Sequence, residues 1–232
     1  MQITDINYYS FICSKDDNYK PTAVHLFNYL TDAGIKVKSL IGKNSIFSAY
    51  KEGLEKVNPK DDDIIILCHD DIEIMCPPST LFLHLNKCQS LPECGFIGVA
   101  GTRNFDLPCV WWNWDKKYDH SGGVYHGTML NRYWTNFGPY GEVVVLDGVF
   151  LACTGKTLRS IKLEQPEAFS GNWDFYDIYY TFQTHINGKK NYTVPITIRH
   201  ESPGTPRESW DSNRREFIKM YNEQLPKKVE LT

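Results

Sequence analysis

Two adjacent carboxylates, Asp70 and Asp71, close the stretch Asp61-Asp62-Asp63-Ile64-Ile65-Ile66-Leu67-Cys68-His69-Asp70-Asp71. The apolar run has the length of a strand. A strand that ends in two acids delivers them to the edge where open α/β sheets bind ligands. Carboxylate oxygens there suit a hard divalent cation such as Mg²⁺ or Mn²⁺, which commonly joins one or two protein carboxylates to a substrate's phosphates. The chemistry suggested is a metal–diphosphate site, and so a nucleotide-activated substrate. An acidic pair alone is as readily a solvated turn, so other positions must decide.

Three further groups could join them. Asp147-Gly148 lies between two apolar runs, Asp174 and Asp177 lie in Gly171-Asn172-Trp173-Asp174-Phe175-Tyr176-Asp177, and His200-Glu201 closes a final apolar stretch. Each also has an ordinary role. Asp147-Gly148 suits a tight turn, acids at a helix start favour its dipole, and a histidine at a strand end can simply pack. Residues 102–142 are rich in Trp, Tyr, Gly, Asn and His without a clear period. An irregular stretch of that length is usually functional or an insertion. Its Trp111, Trp112, Trp114, Tyr118 and Tyr125 could stack on a sugar or pack as a cluster.

The elements that must position these groups are clearest in the first hundred residues. Asn7–Cys13 reads as a strand. Pro21 opens a helix to about Asp32 with Val24, Phe27 and Leu30 on one face, and Ala33-Gly34 stops it. Ile35–Ile41 alternates like a half-buried strand. Ser45 is placed to cap a helix to about Val57, with Phe47, Tyr50 and Leu54 on its core face. Asp63–Cys68 is the strand leading to the acids, Pro77-Pro78 starts a helix through about Cys88, and Phe96–Ala100 is another short strand. This alternation is the pattern of a parallel, nucleotide-binding sheet. Beyond Gly101, Val143–Leu146 and Val149–Cys153 read as short strands. Trp173–Ile186 reads as a helix, Tyr192–Arg199 as a strand that Pro195 marks as an edge or bulge, and Pro206–Glu223 as a charged helix.

Composition narrows the class. A chain of 232 residues, 41% hydrophobic, can build a full core, and a net charge of −3 leaves no footprint for nonspecific nucleic-acid binding. A nucleic-acid acceptor is therefore not indicated by charge. The 7 Cys are scattered and form no CxxC pair, which predicts reduced cysteines in a cytoplasmic protein. No apolar run nears the roughly 18–20 residues of a membrane span, and the N-terminus lacks a signal-peptide pattern, so no stable membrane insertion is expected. Asn191-Tyr192-Thr193 matches the glycosylation triplet, a common chance match. Arg207, Arg214, Arg215 and Lys219 are the one candidate contact for an anionic acceptor, but read more simply as a solvated helix face.

The order of the pieces resembles a known family. The chain is similar to the GT-A-fold nucleotide-sugar glycosyltransferases, in the family-2-like branch. Within it, the likeness is to the bacterial and viral subgroup grouped with a streptomycin-biosynthesis glycosyltransferase. The pieces are Ser45–Gly53, His69-Asp70-Asp71, Gly98-Val99-Ala100-Gly101, Leu146–Ala152, Trp173–Asp177 and His200-Glu201-Ser202. The resemblance implies a single α/β domain of Rossmann-like, three-layer α/β/α type with a mostly parallel central sheet. Residues 1–101 would form the nucleotide-sugar-binding half, 102–205 the acceptor and catalytic half, and 206–232 a C-terminal helix.

The resemblance also implies roles. Asp71 matches the metal ligand that ends the family's acid-x-acid motif, Asp70 its middle position, and His69 stands where many members place a ribose-contacting acid. His200 matches a further metal ligand, and imidazole suits Mn²⁺ better than Mg²⁺. Asp174 or Asp177 would be the base, since Phe175 replaces one acid of the usual segment; spacing of three places both on one helix face. Ser14 and Asp17, in a loop with Lys15, would hold the nucleobase. Ser48, Asp147 and Gly148 would lie toward the donor, and Trp111, Trp112, Trp114 and Trp173 toward the acceptor. The implied activity is metal-dependent transfer from a nucleoside-diphosphate sugar, commonly UDP-linked, to a glycan or other hydroxyl acceptor, with inversion. Two alternatives stand beside it: a catalytically silent sugar- or nucleotide-binding module, and a nucleotidyltransferase. The latter normally has a Gly-rich loop that Cys13–Lys20 lacks.

Overall fold

The computed structural model describes residues 6–202, 204 and 206–229; the last residues of the expected C-terminal segment lie outside these. The chain opens with β1 (Tyr8–Cys13), α1 (Pro21–Asp32), β2 (Lys36–Leu40), α2 (Ile46–Val57) and β3 (Ile64–Cys68). Strand β1 pairs in parallel with β2 on one side and β3 on the other. Right-handed crossovers then place α1 and α2 on opposite faces. The side chains of β1 also point to helices on both faces, Phe82 belonging to the helix Pro78–Leu85. Tyr8 packs edge-on against Phe82, while Phe11, of opposite parity, lies 3.0 Å from where a Cβ on Gly53 of α2 would be. All five residues of β3 are buried. This is why the run is continuously apolar, and each such side chain contributes about 1.5–3 kcal/mol by leaving water.

The chain continues through β4 (Ile72–Ile74), α3 (Pro78–Leu85), α4 (Lys87–Ser90), β5 (Cys94–Gly98), β6 (Ala100–Thr102) and β7 (Asn104–Phe105). Then come β8 (His120–Gly127), β9 (Arg132–Gly138), β10 (Glu142–Val143), β11 (Val145–Leu146), β12 (Phe150–Thr154) and α5 (Gly155–Arg159). The described chain closes with α6 (Tyr176–Ile186), β13 (Lys190–Thr193), β14 (Ile198–His200), α7 (Glu208–Tyr221) and β15 (Lys227–Lys228), which pairs with β7. The central sheet runs β10-β13-β5-β12-β3-β1-β2. Strands β10 and β12 oppose the other five, so the sheet is mostly parallel in direction but mixed in pairing. A second sheet runs β11-β6-β8-β14-β4, with β9 paired to β8.

The chain steps repeatedly from one sheet to the other, and several of the steps are short, among them those between β3 and β4, β5 and β6, β10 and β11, and β11 and β12. The crossing from β3 to β4 is His69-Asp70-Asp71 and that from β11 to β12 is Asp147-Gly148-Val149. The sheets therefore meet where the acids are. Short segments suffice because a residue that ends one strand begins the turn into the other. His69 N donates to Val149 O and Asp147 N to Ala100 O, which ties these crossings together.

Several expectations need correcting. Residues 102–142 are not an irregular loop: they carry the β8–β9 hairpin. Their period is hidden by glycine. A Cβ on Gly122 would overlap Val99 O, and one on Gly123 would overlap the Trp134 ring, so both strand positions admit only hydrogen. The stretches 96–100, 143–146 and 192–199 each divide between the two sheets instead of forming one strand. The helix after Pro77 is two short ones. The helix expected from Trp173 begins at Tyr176, because Phe175 takes a left-handed φ of 67° and its ring buries against Trp210 and Phe217. Asp174 and Asp177 therefore do not share a helix face. Ser45 precedes α2 without capping it; its hydroxyl donates to Gln165 Oε1 instead, at 3.2 Å.

Candidate active site

A cleft of about 920 Å³ opens along the line where the sheets meet. Its key side chains come from strand ends, crossings and the first turn of α6. Asp71 follows β3 and its crossing, His200 ends β14, and Asp147 follows β11. Asp177 lies in the first turn of α6, and Ser14 follows β1.

Three ligand atoms converge in it. His69 Nδ1 and His200 Nε2 lie 3.3 Å apart, His200 Nε2 and Asp71 Oδ1 3.2 Å, and His69 Nδ1 and Asp71 Oδ1 3.8 Å. A first-row divalent ion held at about 2.1 Å from each of three neighbouring octahedral positions needs donor separations near 3 Å. The residues present thus fit such an ion, and they are the cluster of this kind among the described residues. Two imidazoles and one carboxylate favour Mn²⁺-like transition metals over Mg²⁺. The electrostatics fit as well. Burial opposes ionisation of Asp71, but the hydrogen bond and charge of His200 win and hold its pKa well below the usual carboxylate range. Burial also opposes charge on His200, yet Asp71 raises its pKa. Burial and the charge of His200 lower that of His69. His69, which stands at the family's ribose-contacting position, is a member of this cluster.

Asp147 and Asp177 face the same cleft. Gly148 N donates to Asp177 Oδ2 at 2.8 Å, and Val149 N to Asp147 Oδ1 at 2.8 Å. Gly148 must be glycine, since a Cβ would overlap the Tyr176 hydroxyl. Burial, then the neighbouring charge of Asp147, push the pKa of Asp177 up to about 7. Asp174 also lines the cleft, but Ser209 Oγ donates to its Oδ2 at 2.6 Å.

The remaining expected positions divide. Ser14, Asp70 and all four tryptophans line the cleft; Asp17 and Ser48 do not. Ser48 is exposed and donates to Ser45 O at 3.1 Å. Trp111 is buried against Phe137, with centroids 5.0 Å apart, and Trp112 packs on Trp210 at 5.0 Å. Trp114 stacks on Phe137 while remaining 55% exposed, so one ring face is open to a ligand. Trp173 sits apart from these, with Lys15 Nζ 5.0 Å from its ring and its Nε1 donating to Asn44 O.

Tyr176 and His126 are cleft residues that the sequence reading missed. Tyr176 read only as one residue of the helix Trp173–Ile186, and His126 lay inside the aperiodic stretch 102–142. His126 is the register neighbour of His200, with rings 6.1 Å apart. Of the basic cluster, Arg215 pairs with Asp211 and Lys219 with Glu216 at the surface, Arg214 is mostly buried and donates to Asp211 and to Pro108 O, and Arg207 lines the cleft. Asn191 of the glycosylation triplet is buried, accepting from Phe96 N and donating to Val144 O and Thr181 O.

Residues 10–230 match the model of the glycosyltransferase-like family. The chain belongs to that family. Among solved structures, it is similar to GalNAc-T7 with UDP, GalNAc and Mn²⁺, at 11% identity and a TM-score of 0.60, covering 94% of this chain and 50% of that one. The chain thus spans half the length of GalNAc-T7. This likeness shows the Rossmann-like GT-A fold. The inositol-1-phosphate CTP transferase from T. maritima is similar at 10% identity and a TM-score of 0.47, covering 93% of this chain and 97% of that one. No curated protein matches the chain significantly. Among the described residues, no helix is long and apolar enough to cross a membrane, and all seven cysteines are free and buried.

Proposed function

We propose that this family member transfers a sugar from a nucleoside-diphosphate sugar to an acceptor hydroxyl, with a divalent metal on the diphosphate. The observation that carries this reading is the convergence of His69 Nδ1, Asp71 Oδ1 and His200 Nε2 in a cleft shared with Asp147 and Asp177. When bound there, the metal would neutralise the charge that develops on the departing diphosphate.

The chain's own residues do the rest. Asp177 is the base. Its carboxylate faces the cleft without an ion-pair partner among the described residues, and a pKa of about 7 is poised to take a proton near neutrality. The acceptor oxygen loses its proton to Asp177 as it bonds to the anomeric carbon, and the bond from that carbon to the diphosphate oxygen breaks. One in-line displacement inverts the centre. Asp174, already engaged by Ser209, orients the segment instead. Ser14, Lys15 and Trp173 form the nucleotide side of the cleft, and Trp114 with Phe137 the acceptor side. The donor proposed is UDP-linked, the nucleotide named with GalNAc-T7.

The test is a donor-hydrolysis screen across UDP-, GDP- and CDP-sugars with Mn²⁺, Mg²⁺ or EDTA. Metal-dependent release of nucleoside diphosphate from one donor, lost in Asp71→Ala, supports the reading and names the donor. No release from any donor, with no metal-dependent nucleotide binding by calorimetry, points instead to a silent module.

A further inference from the structure

His69 has two ring nitrogens, and they meet different partners. Nδ1 faces His200 and Asp71, while Nε2 lies 3.0 Å from the Tyr176 hydroxyl. That hydroxyl also lies 3.0 Å from Gly148 O. A phenol carries one proton, and a carbonyl oxygen can only accept. Both contacts are satisfied only if Tyr176 donates to Gly148 and accepts from His69. The proton of a neutral His69 then resides on Nε2, and the lone pair on Nδ1 points at the cluster.

We propose that Tyr176 is a positioning residue that fixes His69 in the tautomer presenting Nδ1 to a divalent cation. This rests on the metal-site reading above and adds to it a residue outside the ligand set. Hydrogen-bond partners of metal-bound imidazoles generally set ring orientation and tautomer in this way. Tyr176 is itself held rigidly. Its ring packs against Tyr50 at 5.8 Å, Tyr180 at 5.9 Å and Phe47 at 6.4 Å. The absence of a side chain on Gly148 leaves room for the hydroxyl. The same glycine then serves both sides of the reaction: its carbonyl holds Tyr176, and its amide holds Asp177.

A double-mutant cycle on Mn²⁺ affinity tests this, with calorimetry on metal-free full-length protein. Tyr176→Phe keeps the ring and removes the hydroxyl. It should weaken Mn²⁺ binding about tenfold. In a His69→Ala background the same change should have no further effect, because Tyr176 acts through His69. Nitrogen-15 histidine spectra of the metal-free wild type should show His69 protonated on Nε2, and Tyr176→Phe should lose that preference. The proposal is overturned if Tyr176→Phe leaves Mn²⁺ affinity unchanged, if the two effects multiply in the double variant, or if wild-type His69 is protonated on Nδ1. A wild type that binds no Mn²⁺ overturns the metal-site reading and this inference together. A wild type that binds Mn²⁺ with a silent Tyr176→Phe overturns the inference alone.

Discussion

The two halves of this molecule position their chemistry by different means. Residues up to Gly101 use the regular device of an α/β sheet: buried strands alternate with helices, and the polar groups sit where strands end. Asp71 is the product of that device. From Thr102 onward the strands are two to eight residues long and pass between the two sheets that β3 to β6 already link, and the polar groups are fixed largely by side-chain packing. Phe175 is buried in a left-handed conformation, Gly148 is cut to fit Tyr176, and Asn191 saturates four neighbours from inside the core. The proposed site draws on both halves, since His69 and Asp71 come from the first and His200, Asp147 and Asp177 from the second.

Breaking the first half at its functional end should give the largest loss. Asp71→Ala should reduce metal-dependent donor turnover by about a thousandfold or more, since each unit of 1.36 kcal/mol in the barrier is a factor of ten. Asp177→Asn tests the second half. It should lower kcat about 10²- to 10⁴-fold and leave nucleotide affinity in place. In the wild type, kcat should rise as pH climbs through about 7, the pKa of Asp177, and that limb should vanish in the variant. The same raised pKa sets the sign on stability. Asp177 favours the folded state while protonated, and that contribution is lost as pH rises from its unfolded value of 3.8 through about 7.

The packing device itself is broken by Phe175→Ala. It should destabilise by about 3–5 kcal/mol in a denaturant titration, through the cavity left against Phe169, Trp210 and Phe217. A far smaller effect there would mean that the second half does not rely on this anchor. Trp114→Ala should raise the acceptor KM about fivefold while sparing donor hydrolysis, as loss of one stacking face does. Arg215→Ala should be neutral within about 0.5 kcal/mol, because its pairing with Asp211 is exposed.

The difference between the halves also governs what the sequence makes legible. The bounds of β1, α1, β2, α2 and β3 follow from periodicity and punctuation, although α1 buries Ala23, Leu26 and Leu30 and leaves Val24 of the expected face exposed. Asp71 and His200 are legible from order and from residue type. The β8–β9 hairpin is not, since Gly122 and Gly123 serve contacts with Val99 O and Trp134 that are remote in sequence. The start of α6 is missed because Phe175 adopts φ > 0 only under the pull of its aromatic neighbours, a tertiary override of local preference. His69 passes for a substitution at a ribose position because only the fold brings β14 beside it. Tyr176 looks like any core aromatic until its hydroxyl is placed between His69 and Gly148.

The central claim is a cation held by two imidazoles and one carboxylate at the junction of the sheets. Pulsed electron–nuclear double resonance on the Mn²⁺ complex of ¹⁵N-histidine-labelled protein reads those ligands directly. Two histidine nitrogen couplings, one lost in His69→Ala and the other in His200→Ala, are the predicted result. Bound Mn²⁺ without histidine coupling, or no bound Mn²⁺ at all, would contradict it.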